Sequence, residues 1–387
     1  MLLLLPPFSL FIRVCEVRNI IINFQLNKMK HYLCTFFFLL LSGFSLFGQD
    51  DVKYVEGQEL AVIGKFHNEA GYARFPARYK DKLRSEVWSI GQRSTGISIF
   101  FESNASQINV RWTLAGEYTM LHTNTSGARG VDLYVEANGK WHYVQTGAPT
   151  GKTSEATLTS GEKPVMRKYL VNLPLNINVE SIYIGVNKEA ELRKPQTSLF
   201  AQKPIVHYGS SITQSATASR PGMAYTNILS RWLNRPIINM GFSGQGTFDD
   251  SVGDAMCETD AALYIVDCSP NTQDSLICER AINLVNQLKK CRPDVPVLLV
   301  ENYLYAIGYF RSNYPENNEI PNRKQIELQK AYDQLIQSGV KNLYYQKGKD
   351  LIGTDQEGTM DGAHPNDLGL YRYAETIYPT IQNILNQ

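Results

Sequence analysis

The chain has 387 residues, 43% of them apolar and 19% charged. That composition excludes general disorder, and the length predicts two globular domains rather than a single core. Its 38 Lys and Arg nearly cancel its 37 Asp and Glu, so there is no field of one sign to draw in nucleic acid or an anionic membrane surface, and neutral partners such as glycans fit better.

The first 49 residues hold two apolar runs, Leu2 to Ile12 and Thr35 to Phe47, with Met29 between them. Neither run is long enough to span a bilayer. From Met29 the chain reads MKHYLCTFFFLLLSGFSLFGQD, a basic start, an apolar stretch and small residues before a polar end, which is the pattern of an export signal. Translation is therefore expected to start at Met29 and cleavage to fall near residues 48–50. The mature chain is then secreted or periplasmic, with no membrane span. Cys34 stands at the start of the apolar run rather than its end, which argues against a lipid-modified cysteine. Removal of this segment takes Cys15 and Cys34 and leaves Cys257, Cys268, Cys278 and Cys291. Export permits disulfides among these four, and their spacing does not fix the pairing.

Residues 50–198 read as an all-β domain. Short alternating segments, GISIFFES, SQINVRWTL, VDLYVEA, KWHYVQT, MRKYLVNLP and SIYIGV, are separated by Gly, Asn, Ser and Pro clusters. Period two with aromatic and β-branched enrichment predicts strands, and a succession of them without helical runs predicts an antiparallel β-sandwich of jelly-roll type.

The pattern changes after the polar stretch RKPQTS, and residues 199–387 read as an α/β domain. PIVHY, PIINM, ALYIVD, VPVLLV and NLYYQ predict buried strands, while 221–234, 275–290, 321–337 and 366–385 carry helical periodicity. Strands alternating with helices predict a parallel, flavodoxin-like sheet in a three-layer domain. Ligands of such sheets bind beyond the carboxyl ends of the strands, so residues just after each strand are the candidates for chemistry.

Just after PIVHY come Gly209, Ser210 and Ser211, which set a serine on a tight strand-to-loop turn, the perch a nucleophile needs. NMGFSGQG follows the second strand, and Gly241, Gly244 and Gly246 let backbone N–H groups approach a developing oxyanion. DCSPN follows the third, where Pro270 stiffens the loop and Asn271 offers an amide donor. Near the end stands TMDGAHPND, in which Asp361 and His364 lie three residues apart, so that the carboxylate can fix the tautomer of an imidazole that takes a proton from Ser211. Histidine is otherwise sparse and this loop offers too few ligands for a metal, so neither a metal nor a cofactor is expected.

This order of a GxS, a Gly block, an Asn block and a DxxH resembles the SGNH/GDSL hydrolase superfamily over residues 203–387. The resemblance implies an esterase in which Ser211 is nucleophile and first oxyanion donor, Gly244 and Asn271 are the further donors, Asp361 the orienting acid and His364 the base. Ser210 stands where the family's name has Asp, and Asn271 sits in DCSPN where the usual block reads GxND. RGVDLYV, Arg129 to Val135, resembles the GxDLY signature of a β-domain that precedes one bacterial branch of the superfamily. There Gly130 and Asp132 fit a turn and its hydrogen-bond acceptor better than catalysis. Arg220, Glu301, Asn302 and His122 are candidates for the substrate-binding wall. The expected substrate is a short acyl ester, most simply an acetyl ester of a carbohydrate. The alternatives are a lipid, lysophospholipid or platelet-activating-factor-acetylhydrolase-like esterase, and a glycan-binding protein with an idle serine.

Overall fold

A computed structural model describes residues 51–116, 122–196, 200–305 and 322–387. The expected export signal lies outside the described residues. No helix among the described residues is long and apolar enough to cross a membrane.

The front half is built from two sheets. Strands β1 (Val52–Glu56), β4 (Ile108–Leu114), β7 (Thr153–Thr159) and β9 (Val179–Asn187) form a four-stranded sheet in the order β1-β9-β4-β7. The second sheet runs β10-β3-β8-β5-β6, from Leu192–Arg193, Ser98–Ser103, Arg167–Asn172, Val131–Ala137 and Lys140–Gly147, and β2 (Ala61–Ile63) also pairs with β3. Successive side chains of a strand point to opposite faces. Accordingly Ile99 and Phe101 of β3 join Val110, Trp112, Leu133, Val171 and Ile184 in the core between the sheets. Phe100, one residue out of phase, packs with Tyr134, Leu170 and Phe200 in a second cluster instead. Every residue of β3 is buried for this reason, and the sheet has no wet face along that strand.

The back half has a parallel sheet in the order β12-β11-β13-β14-β15, from Ile237–Gly241, Ile205–Gly209, Leu263–Asp267, Val297–Val300 and Leu343–Gln346. Numbered within this half, the order is 2-1-3-4-5, the flavodoxin-like arrangement whose switch point lies beside its first strand. Alternation again divides the residues. Val206, Tyr208, Met240, Val266 and Leu299 face one core, and Ile205, Ile237, Ile265, Leu298 and Val300 face another. Helices Asp250–Glu258, Asp274–Cys291 and Arg323–Gln337 cover the first face, and Tyr225–Leu233 and Asp367–Leu385 cover the second.

Lys53–Gln387 is one compact unit, and the two halves share core. Phe75, Tyr79, Leu83, Val87 and Ile90, from the stretch read in sequence as all-β, pack into the first core of the parallel sheet. The buried guanidinium of Arg74 beside them donates to the carbonyls of Asn239 at 3.1 Å and Gly241 at 2.7 Å. On the other side of the joint, Gly222 approaches so closely that a Cβ there would stand 2.4 Å from the Tyr134 ring and 2.6 Å from the Asp132 carboxylate.

Candidate active site

The site starts from the register of the sheet. Gly209 of β11 lies opposite Gly241 of β12 and Asp267 of β13, so the loops that follow begin side by side at one edge. After Gly209 the chain turns directly into the short helix Ser211–Gln214, whose N-cap is Ser210; the Ser210 hydroxyl accepts the N–H of Ile212 at 3.2 Å. The residue that departs from the aspartate of the family name thus does the capping work of that side chain type. Ser215, in the left-handed region at φ 55°, ends the helix after four residues.

Ser211 is 7% exposed, and its Oγ lies 3.0 Å from Nε2 of His364. The Nδ1 of that ring lies 2.7 Å from Asp361 Oδ2. The other oxygen, Oδ1, accepts the backbone N–H of His364 at 2.7 Å and of Ala363 at 3.0 Å. Burial pushes the Asp361 carboxyl up, but the N–H groups and ring of His364, with Ala363, outweigh it and hold the acid below its ordinary value. The loop carrying the pair is itself anchored. Met360 N–H bonds to His364 O at 2.8 Å, the Tyr303 hydroxyl to Ala363 O, and Thr217 Oγ1 to Pro365 O at 2.7 Å. The loop at the end of the chain is therefore tied to the segment just after the nucleophile.

The glycine block lies against the same turn. Gly244 adopts φ 72°, and nothing lies within 4 Å of where its Cβ would be. A Cβ on Gly246 would meet the Gly209 carbonyl at 2.2 Å, so only glycine lets this loop sit on the nucleophile turn. The N–H of Gly246 bonds to Asn271 Oδ1 at 3.2 Å, which brings the third loop to the second. With its oxygen engaged, the amide of Asn271 keeps its NH2 end as a donor.

Gln214 and Asn239 escaped the sequence reading although they hold this arrangement together. Gln214 donates to Asn176 Oδ1 at 2.7 Å and accepts Ser243 N–H at 3.1 Å and Ser243 Oγ at 2.9 Å. One side chain thus joins the front half, the nucleophile helix and the residue before Gly244. Asn239 donates to Thr213 O at 2.7 Å and accepts Gly241 N–H at 2.9 Å. Their only sequence signal is an amide buried within an apolar run or a polar turn, which does not distinguish them from ordinary turn residues.

Of the residues expected along the substrate wall, three are engaged by protein partners. Glu301 is buried in a bracket, where it accepts from the Tyr345 hydroxyl at 2.7 Å, Lys347 Nζ at 3.2 Å and Gly348 N–H at 2.8 Å. The Asn302 side-chain Nδ2 donates to Tyr303 O at 3.1 Å, and the Asn302 backbone carbonyl accepts Gln325 Nε2 at 2.8 Å. Both residues hold the turn after β14. Arg220 pairs with Asp132 at 2.8 Å, and Asp132 also accepts from Gly222 N–H and Asn172 Nδ2, each at 2.8 Å. The aspartate of the GxDLY stretch therefore receives three donors, two of them from the segment after the nucleophile. His122 is exposed at φ 65° and makes no hydrogen bond to the triad side chains among the described residues.

Cys257 and Cys291 form a disulfide across 34 residues. Cys268 and Cys278 are free and buried.

Residues 202–382 match the model of the GDSL-like Lipase/Acylhydrolase family, and residues 52–192 match that of the GxDLY family, described as the N-terminus of Esterase SGNH hydro-type. No match is found among curated proteins. Among solved structures, a protein of Bacteroides ovatus ATCC 8483 described as a GDSL-like lipase is 34% identical with a TM-score of 0.81, over 87% of this chain and 98% of that one. The salicylyl-acyltransferase SsfX3 of a tetracycline biosynthetic pathway is 15% identical with a TM-score of 0.70, over 86% and 97%. The acetyl xylan esterase Est2A of the rumen bacterium Butyrivibrio proteoclasticus is 11% identical with a TM-score of 0.53, over 87% and 99%. The last two likenesses speak for the fold alone. With a family model on each half and a relative of one-third identity along nearly its whole length, the chain belongs to the GDSL-like lipase/acylhydrolase family, in the branch with a GxDLY front domain, and is a carboxylic ester hydrolase.

Proposed function

We propose that the protein is an exported serine esterase that removes short acyl groups, acetyl above all, from carbohydrate. The observation that carries the catalytic part is the unbroken line from Ser211 Oγ through the His364 ring to Asp361, at 3.0 and 2.7 Å. His364 Nε2 takes the Ser211 proton as Oγ attacks the ester carbonyl. The N–H groups of Ser211 and Gly244 and the amide of Asn271 receive the oxyanion. Collapse expels the alcohol, which takes the proton from His364, and leaves an acyl-Ser211 ester. Water then repeats the sequence, with His364 again as base, and releases the acid and the free serine. Asp361 keeps Nδ1 protonated throughout, so that Nε2 is the nitrogen with the free lone pair.

Export is supported by the disulfide, which forms in oxidising compartments, and by the apolar pattern after Met29. A carbohydrate substrate is supported by the near-zero net charge and by the shared fold of the acetyl xylan esterase. Acetate release from a panel of acetylated polysaccharides tests the substrate, and Ser211→Ala tests the chemistry. The substitution is expected to abolish the acyl-enzyme burst with a nitrophenyl acetate ester. Full activity of Ser211→Ala overturns the mechanism, and faster turnover of octanoate than acetate esters overturns the short-acyl reading in favour of a lipid esterase.

A further inference from the structure

A groove of about 690 Å³ opens between the β5–β6 hairpin and the helices Tyr225–Leu233 and Asp367–Leu385. Ser211, Asp361 and His364 are not among its lining residues. Tyr143, Trp232, Tyr371 and Tyr378 present aromatic surface along it, and Tyr143 and Tyr371 are 44% and 45% exposed. The Trp232 ring meets the rings of Tyr371 and Tyr378 edge-on at 5.4 and 5.5 Å, which makes a continuous aromatic strip along one wall.

The charged side chains that line the groove, Lys140, Arg220 and Arg231, are all basic. Asp132 beneath it is fully buried, pairs directly with Arg220 and acts on Arg231 without touching it, so one carboxylate stands against three cations. Arg231 is 9% exposed, lies 3.9 Å above the Tyr134 ring, and spends Nη2 on the Gly222 carbonyl at 2.8 Å. Its Nη1 has no hydrogen-bond acceptor among the described residues. A buried guanidinium N–H without an acceptor is costly unless something supplies one.

We infer that this groove is a second binding site, separate from the catalytic serine, for a carboxylate-bearing oligosaccharide. The aromatic strip offers flat apolar faces for the C–H faces of sugar rings, and the unanswered cations select uronate units over neutral ones. A neutral glycan fits only half of this chemistry, because it leaves the basic charge uncompensated. The wall of the groove continues toward the hydrolytic machinery: Ser219 N–H bonds to Asp367 Oδ1 at 2.9 Å, three residues beyond His364. A polyuronate chain held here is held close to the segment that anchors the histidine loop.

Isothermal titration of the full Ser211→Ala chain, which keeps ester turnover out of the readout, tests the inference with tetragalacturonate, a glucuronic-acid-substituted xylotriose and neutral xylotetraose. Saturable binding of an acidic probe is expected, at least about tenfold tighter than xylotetraose and weakened by added salt. Tyr371→Ala and Lys140→Gln should each weaken it by about tenfold. Lys140 is exposed, so Lys140→Gln should melt with the parent and separates binding from folding. Equal affinity for acidic and neutral probes, indifference to both substitutions, or no saturation by either acidic probe overturns the site. None of these outcomes bears on the esterase reading, which fails or stands on turnover by the unsubstituted chain.

Discussion

The side-chain oxygen of Asn271 accepts the backbone N–H of Gly246 at 3.2 Å, and this contact fixes which end of the amide is left to donate. Asn271→Ala removes that donor and also frees the glycine loop from the third strand. Loss of one oxyanion donor lowers kcat about a hundredfold or more. The expected signature is a fall in kcat and kcat/KM together on a nitrophenyl acetate, with KM nearly unchanged. A variant whose KM alone moves would place Asn271 in ground-state binding instead.

The proposed reaction needs a lone pair on His364 Nε2, so His364→Ala should lower kcat/KM on a nitrophenyl acetate by about a thousandfold. Burial opposes it, but the N–H groups of His364 and Ala363 hold Asp361 below the usual carboxylate range, so the carboxylate is ionised at neutral pH and keeps the Nδ1–H turned toward it. A His364→Ala chain that keeps the kcat/KM of the parent contradicts the proposed base.

Asp132 is fully buried and serves Arg220, Gly222 and Asn172 at once. Asp132→Ala leaves a half-buried guanidinium and two further donors without their acceptor, a change of about 3–5 kcal/mol in stability. Chemical denaturation should show it. Because Arg220 and Gly222 lie in the segment after the nucleophile, activity should be lost at lower denaturant than in the parent. A shift below about 1 kcal/mol would mean that the joint between the halves does not depend on this carboxylate.

Asp267, buried at the end of β13 with the Tyr373 hydroxyl 2.8 Å away, has its acid pushed up to about 7 by burial. In the unfolded chain the same acid ionises near 4. Between these values the native state holds the extra proton, so this group's contribution falls as pH rises from about 4 to about 7, by on the order of 4 kcal/mol. His207 works the other way, because burial lowers it to about 3. The unfolded state takes up its proton first, and that contribution falls as pH drops below about 6.5. Asp267→Asn removes the first effect and keeps the second, so the variant should gain on the parent steadily from about pH 4 to about pH 7 in melting temperature. A constant offset across that range would show that Asp267 carries no such proton.

The strands of the parallel sheet were legible because each is a short apolar run buried on both faces, bounded by turn residues. The helix Asp250–Glu258 was not, since DSVGDAMCE carries Gly and acidic residues and owes its helix to packing against Asp274–Cys291 rather than to propensity. In the front half, β7 (TSEATLT) and the edge pieces β1, β2 and β10 were missed, as polar alternation or very short length gives little signal. Ser211 and the Asp361–His364 pair stand out in the sequence because they fall where strand ends and terminal loops must lie, and the structure sets them within hydrogen-bonding reach of one another. The partners of Arg220, Glu301 and Asn302 were illegible for a common reason: position after a strand or loop says that a side chain is near an edge, but not which neighbour takes it. Partners such as Asp132, 88 residues from Arg220, are invisible at that level.

Arg74 reaches from the front half into the carbonyls of Asn239 and Gly241, and Phe75 and Tyr79 beside it fill the core under the same strand. A gene cut at residue 199 would therefore not liberate a working catalytic module. The fragment would expose an oily gap beneath β12 and two bare carbonyls where the glycine block begins, so swapping front halves between relatives requires carrying the 72–91 stretch with the enzyme it props up.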